Sequence, residues 1–426
     1  MAASEARRAV EAVWRVESAR IIAGLARILR DVDLAEEMAQ DALVAALEQW
    51  PVEGVPPNPG AWLTVTAKRR AIDRLRRLER LERNHRQLAG DLHGMQQALD
   101  DDAALDEREV GDDLLRLMFV CAHPVLSAEA RVALTLRLLG GLTTPEVARA
   151  FLVPEPTVAQ RIVRAKRTLA TRGIGFELPP PGERAERLVS VLECIYLIFN
   201  EGYAATTGPD WTRPDLCFEA LRLGRILAEL TPQDAEVHGL VALMELHASR
   251  LRTRLGPGGE PIGLLEQDRG RWDRLLIARG FAALLRAEQA DTRPGPYVLQ
   301  AAIAASHARA RTPEDTDWPQ IVALYTALLA LAPSPVVRLN RAVAVAMAVG
   351  PAEGLALVDE LLDEPALTAY HALPSVRADL LARLGRHEEA RAEFERAAAL
   401  AGNAQERAVL LKRAAQQGSG SDAGHA

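Results

Sequence analysis

The strongest chemical feature of the chain is a basic segment, WLTVTAKRRAIDRLRR, at residues 62–77. It carries six cations against one anion, Asp73, although the whole chain has a formal net charge of −7. Its cations are Lys68, Arg69, Arg70, Arg74, Arg76 and Arg77. Guanidinium groups bond phosphate oxygens in pairs, so such a face attracts a nucleic-acid backbone. A basic amphipathic helix is also common as a plain solvated surface, and this segment alone does not distinguish the two.

Helical spacing in the segment predicts which of its sides is buried. The expected buried stripe consists of Trp62, Val65, Ile72 and Leu75. The opposite side carries the charges and faces solvent. The preceding PNPG, which ends at Gly60, predicts a loop between two helical segments.

A second basic segment, LTTPEVARAFLVPEPTVAQRIVRAKRTL at residues 142–169, has the pattern of a helix-turn-helix. Thr144 is the predicted N-cap of the first helix, with Pro145 at its first helical position. VPEP then forms the turn, and the second helix runs from Thr157 to Leu169. A glycine usually occupies the left-handed position of this turn, but Leu152 stands there instead.

The second helix of this motif divides into two faces. Its core-facing residues are predicted to be Val158, Ile162 and Ala165. The side chains left for a major groove are Thr157, Gln160, Arg161, Arg164 and Arg167. Glutamine can read adenine and arginine can read guanine, so this face could specify a base sequence as well as hold the backbone.

Acidic segments alternate with the two basic ones along the chain. Residues 31–53 carry seven acids and no base, and residues 100–113 carry eight acids and one base. In the first of these segments a helix with one apolar face presents Asp33, Glu36, Glu37 and Asp41. Such a face repels DNA and suits a cationic protein partner, so the N-terminal part of the chain is expected to bridge DNA and a basic protein.

The chain beyond residue 185 reads as one helix after another. LGRHEEARAEFERAAAL, residues 384–400, resembles the second helix of a tetratricopeptide repeat, with a glycine turn followed by Ala390, Phe394 and Ala397. VGPAEGLALVDELL at residues 349–362 is a weaker copy, and residues 323–335 end like a third. These copies predict a helical-repeat domain. An irregular helix bundle remains the alternative.

The composition of the chain and its sequence motifs exclude several functional classes. The three cysteines, Cys121, Cys194 and Cys217, are far apart and are expected to be buried thiols of a reducing compartment. Neither a signal peptide nor a membrane span is predicted, so the expected location is the cytoplasm. The histidines have no metal-ligand spacing, and no pairing of a nucleophile with a base emerges. We therefore expect no catalytic residues, no metal, no cofactor and no enzymatic activity.

These parts, in this order, resemble an extracytoplasmic-function sigma factor of bacterial RNA polymerase. DVDLAEEMAQDALVAALEQW is similar to the sigma region that grips the β′ clamp helices, and NPGAWLTVTAKRRAIDRLRR to the helix that works at the promoter −10 element. The helix-turn-helix segment is similar to the region-four module that reads the −35 element. A C-terminal helical extension, and a turn without glycine, are similar to one subgroup of these factors.

The resemblance implies an all-α fold with two small sigma domains, the second a helix-turn-helix, followed by a tetratricopeptide-like helical domain. The expected boundaries are sigma region 2 at 1–90, an acidic linker at 91–113, sigma region 4 at 114–175, a Pro-rich linker at 176–185, the helical regulatory domain at 186–415 and a disordered tail at 416–426. The acidic linker is expected either to follow the RNA-exit path or to be a plain solvated tether.

The resemblance also implies partners and residue roles. Core RNA polymerase, through its β′ clamp helices and β, would meet Asp33, Glu36, Glu37 and Asp41. Promoter DNA at the −10 element would meet Trp62 and the six cations of the first basic segment. The −35 element would meet the five groove-facing side chains of the second. The loop from Trp50 to Gly60 would capture an unstacked base.

Two further expectations concern the extension. In the subgroup it controls activity, and a small YCII-like protein is commonly associated with the factor. Residues 196–208 and 266–274 are polar stretches around aromatic residues that could face a ligand or simply cap helices. The alternative function is a tetratricopeptide scaffold whose basic N-terminal helices bind acidic proteins.

Overall fold

The computed structural model describes residues 2–81, 107–205, 210–290 and 293–419. Within these ranges the chain forms α-helices joined by short turns and three-residue 3-10 segments, without any extended strand. The chain divides into two compact units, Met1–Leu197 and Ile198–Ala426. Among the helices described, none has both the length and the apolar character needed to span a bilayer.

The first half of the first unit, residues 2–81, consists of three helices: α1 (Ala2–Leu29), α2 (Val32–Glu53) and α3 (Pro59–Leu81). Asp31 caps α2, since its Oδ1 accepts the backbone N–H groups of Asp33 at 2.8 Å and Leu34 at 3.1 Å. Gly54 ends the same helix with a positive φ of 90°. The predicted loop therefore lies between Gly54 and Asn58. We call residues 2–81 the N-terminal half.

The buried side of α3 agrees with the predicted stripe at Leu75 and differs from it elsewhere. Its fully buried residues are Leu63, Ala67, Ala71 and Leu75. Trp62 and Ile72 are half-buried, and Val65 is 47% exposed. The prediction followed the large apolar side chains. The actual contact uses alanines at every fourth position, because small side chains let α3 approach its neighbours closely.

The second half of the first unit begins with α4 (Glu107–Cys121) and α5 (Ala128–Leu138). The helix-turn-helix follows as α6 (Thr144–Phe151) and α7 (Glu155–Thr171). A long helix, α8 (Pro181–Tyr203), comes next, and its residues up to Leu197 belong to this unit. We call residues 107–197 the helix-turn-helix half.

Both predicted linkers overlap a helix of the structure at their C-terminal ends. Most of the acidic linker at 91–113 lies outside the described residues, but residues 107–113 are part of α4. In the Pro-rich linker at 176–185, Pro179 and Pro180 precede α8, and Pro181 is its first residue. Proline is tolerated at that position because the first N–H groups of a helix have no partner within it.

The second unit begins with a bundle of helices around one central helix. These are α9 (Pro214–Leu230), α10 (Ala235–Ala248), α11 (Arg274–Gln289) and α12 (Pro296–Arg309). The sequence of α10, AEVHGLVALMELHA, is apolar on nearly every side, and the helix packs against α9, α11 and α12. A helix that is apolar all round belongs in a core. This part of the extension fits the irregular bundle that the sequence left open.

The remaining helices are α13 (Trp318–Leu331), α14 (Pro335–Ala348), α15 (Pro351–Asp359), α16 (Ala372–Arg383), α17 (His387–Leu400) and α18 (Ala404–Ser419). Each packs against the next, as in a helical repeat. Gly385 turns between α16 and α17 with a φ of 75°, and Ala390, Phe394 and Ala397 are buried. Of the predicted disordered tail at 416–426, residues up to Ser419 are helical, and the rest lies outside the described residues.

The three cysteines are all buried within helices, as predicted. Burial raises the pKa of the Cys121 thiol well above its ordinary value. It raises the pKa of Cys194 to about 11 and that of Cys217 to about 12. Desolvation disfavours the charged thiolate, so all three sulfurs are held as thiols.

Candidate nucleic-acid interface

The basic face of α3 is open to solvent. Arg69, Arg70, Arg74, Arg76 and Arg77 are exposed, and Lys68 is half-buried. Within the described ranges, the side chains of Arg69, Arg70, Arg74 and Arg77 take part in no hydrogen bond or ion pair. The helix therefore holds a row of cations with little internal compensation, which suits a polyanion.

Trp62 lies at the start of this face and contacts a second tryptophan. Its ring meets that of Trp50 edge-on, with centroids 5.5 Å apart and an interplanar angle of 71°. Trp50 belongs to α2 and is buried. Trp50 therefore supports Trp62 from below. The loop predicted from Trp50 to Gly60 is shorter in the structure, because α2 continues to Glu53 and α3 begins at Pro59. In that connection Asn58 accepts the N–H of Ala61 through its Oδ1 at 3.1 Å and so fixes the start of α3.

A capping box begins the helix-turn-helix. Thr143 is the N-cap of α6, one residue before the predicted Thr144. The Oγ1 of Thr143 accepts the N–H of Glu146 at 3.3 Å, and Oε2 of Glu146 accepts the N–H of Thr143 at 2.7 Å. This reciprocal pair satisfies two N–H groups that the helix leaves open. The sequence, with threonine at both 143 and 144, allowed either choice.

The turn of the motif contains the left-handed residue that the sequence placed there. Leu152 has φ 51° and ψ 39°, and its N–H donates to carbonyls of the last turn of α6. A side chain makes this conformation unfavourable, so leucine is strained where glycine would not be. Leu152 is 49% exposed, so the backbone and not side-chain burial holds the turn.

The second helix of the motif presents the predicted face. Thr157, Gln160, Arg164 and Arg167 are exposed, and Arg161 is half-buried. Val158, Ile162 and Ala165 are buried beneath it, as predicted. The helix begins at Glu155, two residues before the predicted start, and ends at Thr171. Leu169 is buried as well, so four core residues of the helix hold this face in place.

The four predicted docking acids have different environments. Glu37 and Asp41 are exposed, and the side chain of Asp33 is 72% exposed. On the same helix, Val44 is an exposed apolar residue between Asp41 and Glu48. Acids interleaved with exposed apolar residues are typical of a protein-binding surface. Glu36 is the exception, being 3% exposed.

Glu36 is buried because two cations from the helix-turn-helix half contact it. Nε of Arg137 lies 2.7 Å from its Oε1, and Nζ of Lys166 contacts its Oε2. Nζ of Lys166 also lies 2.5 Å from Oδ1 of Asp33. We call Asp33, Glu36, Arg137 and Lys166 the bridging cluster, since it joins α2 to α5 and α7.

Electrostatics favour the charged form of Lys166 in this cluster. Burial lowers the pKa of its ammonium group, but the carboxylates of Glu36 and Asp33 outweigh that effect and raise the pKa above its ordinary value. Lys166 is therefore a charged group in a partly buried ion pair. Such a pair is costly to break one partner at a time.

Further contacts hold the two halves of the first unit together. Nη2 of Arg15 lies 3.2 Å from Oε1 of Glu146, and Nε of Arg27 lies 3.0 Å from Oδ2 of the buried Asp113. Gly141, with φ 65°, lies so close to α1 that an added Cβ would be 2.7 Å from Oγ of Ser18. The two halves thus share an interface of ion pairs and close backbone packing.

The sequence did not indicate the bridging role of Lys166 and Arg137. Both looked like ordinary members of basic helices, and nothing in their spacing links them to Glu36, whose position in the chain is about a hundred residues away from that of Arg137. As for other ligands, no three His, Cys, Asp or Glu side chains gather as metal ligands in the part of the chain that the structure describes.

Comparisons with known proteins agree with this geometry. Residues 16–81 match the family model for sigma-70 region 2, and residues 116–169 match that for sigma-70, region 4. Residues 187–288 match a family of unknown function, DUF6596. The chain is also 47% identical, over 387 residues, to an uncharacterised protein of Rhizobium meliloti (strain 1021), covering 91% of this chain and 90% of that protein.

Proposed function

Because the chain belongs to the sigma-70 family, as a factor of the extracytoplasmic-function type with a C-terminal extension, we propose that it directs core RNA polymerase to specific promoters through the surfaces described above. The observation that carries this proposal is the pair of exposed cationic helices, α3 within the region 2 match and α7 within the region 4 match. Sigma factors are not enzymes, and the polymerase supplies the chemistry.

Region 2 is proposed to hold the promoter near the −10 element. Lys68, Arg69, Arg70, Arg74, Arg76 and Arg77 would contact phosphates there, supported by the exposure of the five arginines. Trp62, braced by Trp50, would offer a ring edge to a base that has left the stack. The connection between Gly54 and Asn58 lies next to it in the chain and would complete this contact.

Region 4 is proposed to read the −35 element. Thr157, Gln160, Arg161, Arg164 and Arg167 lie on the solvent face of α7, in the position of a recognition helix. Two exposed arginines and a glutamine supply both base-edge and backbone contacts. The rigid mounting of this helix on Val158, Ile162 and Ala165 supports a role in recognition.

Docking on core polymerase is proposed to use α2. Glu37 and Asp41 are available in the described structure, together with the exposed Val44. Asp33 and Glu36 are held by the bridging cluster. If all four acids meet the β′ clamp helices, the cluster must open first. The structure of the first unit is then a closed, resting form of the factor.

A crevice of about 660 Å³ supports this opening step. It lies beside the cluster and is lined by Asp31 and Asp33 from one half and by Lys166, Arg167 and Phe176 from the other. An interface that leaves such a space is incompletely packed, and opening it sacrifices less buried apolar surface than a tight interface would.

The C-terminal extension is proposed to modulate activity. Support for this comes from its size, its own compact core and the family match over residues 187–288, which lies outside both sigma regions. The small YCII-like protein stays a prediction as a partner, since the matched families do not name it.

Run-off transcription tests the proposed function. Purified core polymerase with the full chain should give promoter-specific transcripts from templates selected by binding, and core polymerase alone should not. A chain ending at Leu197, where the first unit ends, should behave differently from the full chain if the extension modulates initiation. Should core polymerase neither bind the chain nor gain specificity from it, the scaffold alternative would replace the present proposal.

A further inference from the structure

A polar cleft of about 510 Å³ lies within the second unit, between α9, α10 and α11. Its polar walls are formed by Arg225, Glu229, His238, Glu245, Arg279 and Arg286. A cleft of this volume accommodates a small molecule. All of its residues lie within the stretch that matches a family of unknown function, and neither sigma region contributes to it.

The floor of the cleft holds two hydrogen-bond acceptors that have no partner among the described residues. His238 is 4% exposed, and its Nε2 lies 2.9 Å from the carbonyl oxygen of Pro232. A carbonyl only accepts, so Nε2 carries the proton and Nδ1 is left as an acceptor. Nδ1 of His238 is buried and unpaired.

Glu245 supplies the second acceptor, two helical turns further along α10. It is 1% exposed, and its Oε1 accepts both Nε of Arg225 at 2.8 Å and Nη2 at 2.7 Å. Its Oε2 is buried and has no hydrogen-bond partner. An unpaired acceptor in such a place is costly unless something donates to it. His238 and Glu245 both line the same cleft, so a ligand with two donors that moves these side chains slightly can satisfy both acceptors.

The rim of the cleft has the opposite character. Arg279 and Arg286 lie seven residues apart on α11, so they project from the same face two turns apart. Both are exposed, and within the described ranges neither side chain forms a hydrogen bond or an ion pair. Arg279 also interacts electrostatically with the carboxylate of Glu245. Two long guanidinium side chains on one helix face can converge on a phosphate dianion, and they match it better than a single carboxylate, because each can bond two of its oxygens.

We propose that the cleft binds a small phosphorylated compound with free hydroxyl groups. Its hydroxyls donate to Nδ1 of His238 and Oε2 of Glu245, and its phosphate lies on Arg279 and Arg286. A sugar phosphate and a nucleotide share this chemistry. Binding requires neither polymerase nor DNA, so the inference stands or falls independently of the proposed function.

Calorimetric titration of the full chain, without polymerase or DNA, tests the proposal. Ribose 5-phosphate and AMP represent the two sources, and inorganic phosphate and ribose each carry half of the required chemistry. At least one of the complete probes should bind about tenfold or more tightly than either half. The tighter of the two identifies the source. If neither complete probe exceeds inorganic phosphate, the proposal is overturned.

A double variant tests the rim. Arg279→Gln with Arg286→Gln should weaken the complete probe about tenfold or more, because a charge-assisted bond is lost at each site. The matched control is Arg271→Gln with Arg274→Gln, which removes two exposed arginines outside the cleft and should change binding less than about twofold. Exposed positions leave the fold intact, and thermal unfolding verifies this. Equal affinities for the two double variants would overturn the assignment of the rim.

Discussion

The two basic helices of the first unit, α3 and α7, have similar charges but different surroundings. On α3, Arg69, Arg70, Arg74 and Arg77 are free of partners in the described ranges. On α7, Arg164 and Arg167 are exposed, but Lys166 is held between Asp33 and Glu36. The free arginines of α3 are available to a polyanion, whereas α7 also forms an ion-pair contact within the protein.

This difference shows that the role of a cation depends on whether an acid of the same chain already pairs with it. On α3, no acid pairs with Arg69, Arg70, Arg74 or Arg77 within the described ranges. Lys166 lies on the side of α7 that meets α2, and there it pairs with Asp33 and Glu36. Positive charge on a helix therefore predicts DNA binding only after internal partners have been accounted for.

The largest expected effect comes from α3. The triple variant Arg70→Ala, Arg74→Ala, Arg77→Ala should lower the affinity of the polymerase complex for promoter DNA by about a hundredfold or more, and should reduce the salt slope by about three, since each cation neutralises about one phosphate. Filter binding across a salt series measures both quantities. As a control, Arg252→Ala, Arg271→Ala, Arg274→Ala removes three exposed arginines of the extension, and an equal loss there would contradict a specific role for α3.

The next effect separates base reading from backbone binding. Arg161→Ala with Arg164→Ala on α7 should abolish preference for the correct upstream element, a loss of about 1–3 kcal/mol of discrimination per base contact. Competition between matched and altered −35 sequences measures the preference. The triple variant of α3 should weaken binding to both sequences alike. A uniform loss from the α7 variant would show that its arginines touch only phosphates.

A smaller effect tests the bridging cluster. Lys166→Met removes the cation shared by Asp33 and Glu36 and should raise affinity for core polymerase by about fivefold or more, because removing one partner of a partly buried ion pair costs the closed form at least about 1 kcal/mol. Fluorescence anisotropy without DNA measures this affinity. Arg167→Met, at the neighbouring exposed cation, should leave it unchanged. Identical core affinities for Lys166→Met and the native chain would argue against a closed resting form.

The same cluster has a defined pH dependence. The folded-state pKa of Lys166 is raised above its ordinary value of 10.5. Its contribution to the closed form is therefore fully present below pH 10.5 and is lost as the pH rises through the raised value. Between pH 7 and pH 9, the affinity for core polymerase should therefore have the same pH dependence in the native chain and in Lys166→Met.

The smallest effect concerns the turn that orients α7. Leu152→Gly relieves a left-handed leucine, whereas Leu384→Gly replaces a leucine of ordinary backbone geometry with φ −91° at the end of α16. The first substitution should cost at least about 1 kcal/mol less stability than the second. Urea unfolding of the two variants gives the difference. No difference would mean that the turn at residue 152 is not strained.

Much of this fold was predictable from the sequence, since the helices follow apolar periodicity and the turn at Leu152 follows from the helix-turn-helix pattern. Of the predicted buried stripe of α3 only Leu75 is fully buried. The rest was predicted wrongly because Ala67 and Ala71 carry the contact, and alanine gives a weak periodic signal. The bridging cluster could not be predicted from the sequence, for another reason. It joins side chains far apart in the chain, and pairing of charges across such separations has no local pattern.

The three buried thiols have a practical and a biological consequence. A protonated sulfur enclosed in a core reacts slowly with oxidants and alkylating dyes, and Cys121, Cys194 and Cys217 are the full complement of the chain. They are poorly placed to sense oxidative stress. For the same reason, a cysteine introduced on the surface of each half of the first unit would take up dye selectively, and separation of the halves could be followed by energy transfer in a chain that keeps its own sulfurs.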